Sequence, residues 1–159
     1  MQASAHGSAS EIQLLLAANA DPNAQDASGW TALMYASLAP QPGVVPTLID
    51  AGANPGIRSF AGQTALMAAA TAYDPEAKLQ SLLAAGADVS AQDQDGKTAL
   101  MYAIGPQVTR SDVIAFLLRS GARTDLRDAK GLTARDYLEQ EATRRNDQAQ
   151  VERLRQLLK

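Results

Sequence analysis

Acidic residues beside a glycine are the first groups in this sequence that could do chemistry. The segment Asp93-Gln94-Asp95-Gly96 resembles the opening of a calcium-binding loop, in which carboxylate oxygens at alternate positions coordinate the ion. Such a loop needs a glutamate at its twelfth position. Counted from Asp93, that position is Ile104, which has no side-chain oxygen. The segment is therefore interpreted as a hairpin turn, and no metal site is predicted.

Catalytic motifs are missing from the rest of the sequence as well. The chain has one histidine, His6, and no cysteine, so thiolate metal sites, disulfides and cysteine nucleophiles are excluded. His6 falls at a turn position, where a surface role is expected. The sequence has no phosphate-binding glycine loop, no serine-hydrolase elbow and no metalloprotease helix motif. We therefore predict a protein that is not an enzyme and that needs no cofactor.

The composition of the 159 residues narrows the class of partner. The net charge is −3, so no basic excess is available to neutralise the phosphates of nucleic acid or of an anionic membrane. Hydrophobic residues make up 46% of the chain and aromatic residues 4%, which favours closely packed helices with small contact residues. The apolar runs are too short to span a bilayer, and no signal peptide is visible. A soluble protein is expected, cytoplasmic by default, with its compartment left open.

A repeated motif organises the chain. The run Gly29-Trp30-Thr31-Ala32-Leu33-Met34-Tyr35-Ala36 recurs with small changes from Gly62 and from Gly96, and in a weaker form from Gly131. These glycines are 33, 34 and 35 residues apart, which is the period of a stack of helical repeats. The threonine precedes an apolar helical run and is placed to cap its first turn.

A second motif alternates with the first one. The run Leu82-Leu83-Ala84-Ala85-Gly86-Ala87-Asp88 has counterparts that begin at Leu15, Leu48 and Leu117. Its glycine is suited to the left-handed position that ends a helix, and Asn19 takes the place of the glycine in the first copy. Each copy is therefore predicted to be two helices followed by a short hairpin-like loop.

Together the two motifs resemble the ankyrin repeat. The resemblance implies an all-α fold with short β-hairpin loops, an ankyrin-repeat solenoid of about four and a half helix-turn-helix units. The usual Thr-Pro-Leu-His of the family is Thr-Ala-Leu-Met here, which removes part of the hydrogen bonding that ties repeats together. One domain over residues 1–159 is predicted, with a partial N-terminal repeat at 1–25, full repeats at 26–58, 59–92 and 93–127, and a capping repeat at 128–159.

The copies differ most in the turn between their two helices. These turns are enriched in proline at 38–43 and enlarged at 71–76 and 104–110. Either one edge of the stack is functional, or these turns simply tolerate insertions. The first, N-terminal repeat is expected to be incomplete. The apolar face of Val151, Leu154, Leu157 and Leu158 predicts a genuine C-terminal capping helix.

The resemblance also implies where a partner would bind, because ankyrin stacks bind through their hairpin tips and the exposed start of each first helix. These positions are Gln25, Ala27, Ser28, Trp30, Arg58, Phe60, Ala61, Gln63, Gln92, Gln94, Asp95, Lys97, Arg127, Ala129, Lys130 and Leu132. Trp30 and Phe60 are aromatic, as favoured interface residues often are, although both rings could instead pack against neighbouring hairpins. Tyr35 and Tyr102 share one helical position and are predicted to be core residues.

Three functions remain open on the sequence alone. The first is a non-catalytic module, a monomer by default, that binds another protein through the hairpin tips and the concave face of the first helices. An enzyme-inhibiting or immunity-type binder is a special case of it. The second is the ankyrin portion of a larger protein whose chemistry lies elsewhere. The third, direct catalysis or small-molecule binding, has no catalytic residues to support it.

Overall fold

The structure is a computed structural model that describes residues 1, 3–4, 7–41, 43–105, 110–145 and 152. The chain divides into two compact units, Met1–Asp88 (the N-terminal unit) and Val89–Lys159 (the C-terminal unit). Two predictions lie outside the described residues, namely the surface role of His6 and the final helix through Val151, Leu154, Leu157 and Leu158.

Helices dominate the described part of both units. In the N-terminal unit they are α1 (Ala9–Ala17), α2 (Ala32–Leu38), α3 (Val44–Asp50), α4 (Ala65–Thr71) and α5 (Glu76–Ala84). In the C-terminal unit they are α6 (Ala99–Ala103), α7 (Ser111–Arg119) and α8 (Ala134–Arg145). The two kinds of helix predicted for each repeat alternate along the chain as expected.

Side-chain caps determine where the first helix of each repeat begins. A threonine precedes α2, α4 and α6, and its Oγ1 accepts the backbone N–H of the methionine three residues later. The distances are 3.3, 3.4 and 3.3 Å for Thr31, Thr64 and Thr98. A capping box starts α1, in which Ser8 accepts the N–H of Glu11 and the Glu11 carboxylate accepts the N–H of Ser8. These caps satisfy N–H groups that have no partner within their helix.

Left-handed residues end the second helix of each repeat, as predicted. The φ angles are +88° at Gly52, Gly86 and Gly121, and +61° at Asn19. After each of these residues the chain turns back, so that the N–H of Ala87, for example, donates to the carbonyl of Leu82 at 3.0 Å. Glycine adopts this conformation without the steric cost that a Cβ would add, and asparagine tolerates it better than most residues.

The core of each unit consists of leucine, methionine and alanine. In the N-terminal unit α2 packs against α3 and α4, α5 packs against α3 and α4, and α1 packs against α3. In the C-terminal unit α6 packs against α7 and α8. Ala36, Ala69 and Ala103 are fully buried at the same position of the first helix. A methyl group at this position lets the neighbouring helix approach closely.

The loops between repeats are tight hairpin-like turns. Gln25 and Thr31 form an isolated antiparallel bridge, the one bridge assigned with both partners in the described residues. The N–H of Asp26 donates to the carbonyl of Trp30 at 2.9 Å, and the three later loops repeat this bond at 2.9 to 3.0 Å. The predicted fold class, all-α with short hairpin loops, is confirmed. No helix in the described ranges is both long enough and apolar enough to cross a membrane.

Candidate partner-binding surface at the hairpin loops

Four equivalent loops carry the residues that the sequence singles out, and we number them 1 (residues 25–31), 2 (58–64), 3 (92–98) and 4 (127–133). None of these side chains is buried. The exposed ones are Gln25, Ala27, Ser28, Arg58, Phe60, Ala61, Gln94, Asp95, Arg127, Ala129 and Lys130. The half-buried ones are Trp30, Gln63, Gln92, Lys97 and Leu132.

A carboxylate at the base of loop 1 organises the backbone of that loop. Asp26 Oδ1 accepts the backbone N–H groups of Ser28 and Trp30 at 2.8 and 2.9 Å. Asp26 Oδ2 accepts the hydroxyl hydrogen of Tyr35, which lies on α2, at 2.6 Å. One side chain thereby fixes both the turn and its angle to the following helix.

Loops 3 and 4 repeat this arrangement. Asp93 accepts two backbone N–H groups of its own loop and the hydroxyl of Tyr102 at 2.7 Å. Asp128 does the same with the hydroxyl of Tyr137 at 2.6 Å. The tyrosines are half-buried, so the prediction that Tyr35 and Tyr102 are core residues is wrong. Their hydroxyl groups hold the loops instead.

In loops 1 and 4 the hydrogen bonds lower the pKa of Asp26 and Asp128 and raise the pKa of Tyr35 and Tyr137. The Tyr35 hydroxyl, followed by the backbone N–H groups of Trp30 and Ser28, lowers the pKa of Asp26. At Asp128 burial acts to raise the pKa, but the Tyr137 hydroxyl and two backbone N–H groups outweigh it and the pKa is lowered. Burial, the bond to Asp128 and the charge of that carboxylate raise the pKa of Tyr137. The Asp26–Tyr35 and Asp128–Tyr137 pairs are therefore intact at neutral pH.

Loop 2 lacks both members of the pair. Ser59 stands where the other loops have aspartate, and Ala68 stands nine residues later where the other repeats have tyrosine. Ser59 Oγ still accepts the backbone N–H of Gln63 at 3.1 Å, so one of the bonds that hold the turn is kept. The second carboxylate oxygen and the phenol are both absent.

Glutamine side chains connect neighbouring loops within each unit. The amide of Gln25 donates to the carbonyl of Gly29 at 2.6 Å and to that of Arg58, in loop 2, at 2.9 Å. Gln92 makes the same pair of bonds to Gly96 and Arg127 at 2.6 and 2.9 Å. Gln25 and Gln92 are predicted partner contacts, but the structure uses their amide groups inside the chain.

The two aromatic residues of loops 1 and 2 lie in different environments. Phe60 is 65% exposed, and its backbone N–H donates to the carbonyl of Ser28 at 3.0 Å. One part of its ring lies against Gly29, where a Cβ would be only 2.8 Å from Phe60 Cδ1. Trp30 is half-buried, with its ring centroid 5.1 Å from that of Tyr35. Phe60 therefore presents an open aromatic surface, whereas Trp30 packs within its own repeat.

Comparison with known proteins identifies the repeat. The family model for ankyrin repeats (3 copies) matches residues 1–91 and 39–128. The chain belongs to the ankyrin-repeat family. Since these matches cover most of the chain, both the alternating motifs and the helical fold are those of ankyrin repeats, as predicted.

Curated relatives contain this ankyrin region within much longer chains. The chain is 38% identical over 133 residues to the E3 ubiquitin-protein ligase KEG of Arabidopsis thaliana, covering 80% of this chain and 8% of that protein. It is 35% identical over 132 residues to neurogenic locus notch homolog protein 1 of Xenopus laevis, covering 83% of this chain and 5% of that protein. The chain thus spans less than a tenth of the length of either relative.

The turns between the two helices of an ankyrin repeat form a second edge of the N-terminal unit. Tyr73 is 89% exposed in one of these turns. Lys78, which is 7% exposed, donates through Nζ to the carbonyl of Ala39 at the end of α2. Burial lowers the pKa of Lys78, and the charge of Asp74 opposes this effect. Lys78 thus satisfies a carbonyl that the helix leaves without an internal partner.

The Asp–Tyr pairing is the functional feature that the sequence interpretation missed. A signal was present, because an aspartate and a tyrosine are nine residues apart in three repeats and both are replaced in the remaining one. Periodicity alone does not reveal it, since a tyrosine in a helix is more often a packing residue. Within the described residues, no three histidine, cysteine, aspartate or glutamate side chains are grouped so that they could hold a metal ion.

Proposed function

We propose that the chain is a non-catalytic module that binds another protein through the tips of the hairpin loops and the adjoining face of the first helices. Ankyrin repeats are protein-interaction modules, and domains built from them are generally non-catalytic. The proposed binding residues are the exposed and half-buried side chains of loops 1 to 4. We also keep the predicted repeat boundaries, the single domain and the monomeric state as proposals.

The rigidity of the loops supports this surface. Aspartate, serine and glutamine side chains satisfy the polar backbone groups of each loop from within. The outward side chains, such as Ala61 and Lys130, are therefore free to vary without changing the loop. Binding a partner to such loops costs little conformational entropy, because the backbone is already ordered.

Phe60 is the observation that carries the proposal. Its ring is 65% exposed, yet its backbone is tied to loop 1 through Ser28 and one part of the ring rests on Gly29. An aromatic ring held in position in this way buries a large apolar area on binding with little loss of rotamer freedom. The geometry is that of an interface residue and contributes little to the core.

The experiment compares Phe60→Ala with Tyr73→Ala, which removes an even more exposed ring from the other edge of the same unit. Proteins captured by the immobilised wild-type chain are identified by mass spectrometry, and the affinity of each variant for the recovered partner is measured. We expect Phe60→Ala to weaken binding by about 30-fold, as for an interface residue worth about 2 kcal/mol, with thermal stability unchanged. Unchanged binding by Phe60→Ala, or an equal loss with Tyr73→Ala, would refute the choice of surface.

A second function is that the chain acts as the binding portion of a larger protein. The observation in its favour is that both relatives are far longer than this chain. Immunoblotting of the natural source with an antibody against this chain tests it, since a band at 16.7 kDa would contradict it and a much larger band would support it.

A further inference from the structure

A small cavity opens among the turns between the two helices of successive repeats in the N-terminal unit. Part of its lining comes from the turn after α2 and from the start of α3, where Pro40 and Val45 supply an apolar surface. Asp74, and Lys78 and Ser81 on α5, line it as well. The cavity volume is about 110 Å³, which is room for about four water molecules or for the head group of a small ligand.

Lys78 brings a buried positive charge to this cavity. The residue is 7% exposed, and its Nζ donates to the carbonyl of Ala39, the residue directly before Pro40. The charged end of the side chain therefore lies beside the part of the lining that the turn after α2 provides. An ammonium group has three N–H donors, and Ala39 is the one partner that Lys78 has among the described residues. Two N–H donors are therefore left for the oxygen atoms of a ligand.

Asp74 brings a negative charge to the same cavity, and its side chain is exposed. Among the described residues no carboxylate oxygen lies within 4.0 Å of Lys78 Nζ, so the two charges do not form an ion pair. The carboxylate still acts on the ammonium, since burial lowers the pKa of Lys78 and the charge of Asp74 opposes that effect. Two opposite charges that line one cavity without touching fit a ligand that carries both complementary charges.

We propose that this cavity binds a small α-amino acid as a free ligand. The ligand carboxylate accepts hydrogen bonds from Lys78 Nζ, where a charge-assisted bond is stronger than a bond to a neutral carbonyl. The ligand ammonium group pairs with Asp74. Both groups are attached to one carbon atom, so both charges fit within a cavity of this size, and a side chain as small as that of alanine contacts Pro40 and Val45. The inference goes beyond the proposed protein-binding function, which uses the hairpin loops.

The probe is L-alanine, titrated into the ¹⁵N-labelled chain at constant ionic strength and followed by amide chemical shifts. We expect saturable shifts that are largest at Gly43, Ala77, Lys78 and Ser81, which line the cavity, with a Kd of about 1 mM because the small number of ligand atoms limits the affinity. Acetate carries the carboxylate alone and ethylamine the ammonium alone, and each is expected to bind about 10-fold more weakly or worse. The absence of saturable shifts with alanine, or equal binding of acetate or ethylamine, would overturn the inference.

Removing each charge in turn gives the decisive variants. Asp74→Asn changes an exposed side chain, so it should leave the melting temperature unchanged and weaken alanine binding about 10-fold. Lys78→Met keeps an apolar stem and removes the ammonium, and the same loss is expected. Asp50→Asn, at an exposed position of α3 outside the cavity lining, is the matched control and should bind alanine as the wild type does. Wild-type affinity in Asp74→Asn or in folded Lys78→Met would refute the site, and Asp74→Asn decides if Lys78→Met does not fold.

The outcome is separable from that of the proposed function. Phe60 does not line the cavity, so Phe60→Ala is expected to bind alanine with wild-type affinity whether or not it loses the captured protein. A loss of alanine binding in folded Phe60→Ala would contradict a ligand site at the turns between the two helices of each repeat.

Discussion

Replacing Gln25 by glutamate tests whether the loops are held together from within. Glutamate has nearly the same shape, but an ionised carboxylate accepts hydrogen bonds and donates none. The two bonds from Gln25 Nε2, at 2.6 Å to the Gly29 carbonyl and 2.9 Å to the Arg58 carbonyl, would both be lost. In addition, a negative oxygen would face two carbonyl oxygens. Gln25→Glu should therefore destabilise the N-terminal unit more than Gln25→Ala does.

The expected magnitude follows from the number of bonds. Each neutral hydrogen bond contributes about 1 kcal/mol net. The freed carbonyl of Arg58 is exposed and can bind water, whereas the bond to Gly29 is part-buried. We expect Gln25→Ala to lower the free energy of unfolding by about 1 kcal/mol and Gln25→Glu to lower it by about 2 kcal/mol. For a chain of this size, 2 kcal/mol corresponds to a melting temperature lower by about 4 to 8 °C.

Urea unfolding and hydrogen exchange together provide the measurement. The N–H of Phe60 donates to Ser28 across the same pair of loops, so its exchange should become about 30-fold faster if 2 kcal/mol of local stability is lost. Gln80→Glu, at an exposed position of α5, is the control for added charge. If Gln25→Glu matches Gln80→Glu in both stability and Phe60 exchange, the side-chain bonds between the loops do not stabilise the unit.

Two further predictions concern the core and the aspartate network. Leu82→Ala, at a fully buried position, should lower the free energy of unfolding in urea by about 3 to 4 kcal/mol. Leu83 is half-buried, so Leu83→Ala should lower it far less. Similar values for the two variants would contradict the assigned buried face of α5. The pKa of Asp26 and of Asp128 is lowered from the usual 3.8, so the unfolded chain takes up these protons first as the pH falls. The stability that the two carboxylates add is complete above about pH 5 and is lost as the pH falls through their folded pKa values. Asp128→Asn removes one of them, so the free energy of unfolding of this variant should fall less steeply as the pH is lowered.

The fold was largely predictable because its signals are local and repeated. The threonine caps, the glycine stops and the apolar stripe each depend on residues within one or two turns of helix. The threonines predicted to cap the first helices stand directly before α2, α4 and α6. The residues predicted to end the second helices have the left-handed conformation, Asn19 included.

The site was less predictable because its geometry depends on contacts between repeats. The sequence placed Gln25 among the binding residues because the ankyrin resemblance implies partner contacts at the hairpin loops, yet its amide reaches loop 2, 33 residues away. Likewise, the environment of each aromatic ring depends on the residue beside it. Phe60 lies against Gly29, whereas Trp30 packs against the ring of Tyr35. Residue type alone does not distinguish these two environments, so the sequence left both alternatives open for each ring.

The change from Thr-Pro-Leu-His to Thr-Ala-Leu-Met shows that an ankyrin repeat can lose part of the hydrogen bonding between repeats and still keep its fold. Met34 and its two counterparts are buried, so the position now contributes apolar packing in place of polar contacts. Hydrogen bonds between repeats come from the loops instead. Asn23 donates to the Gly52 carbonyl at 3.0 Å and accepts the Asn54 N–H at 2.8 Å. Because these ties lie beside the hairpin tips, they stiffen the surface that we propose for binding, and a substitution that loosens them should weaken binding along with stability.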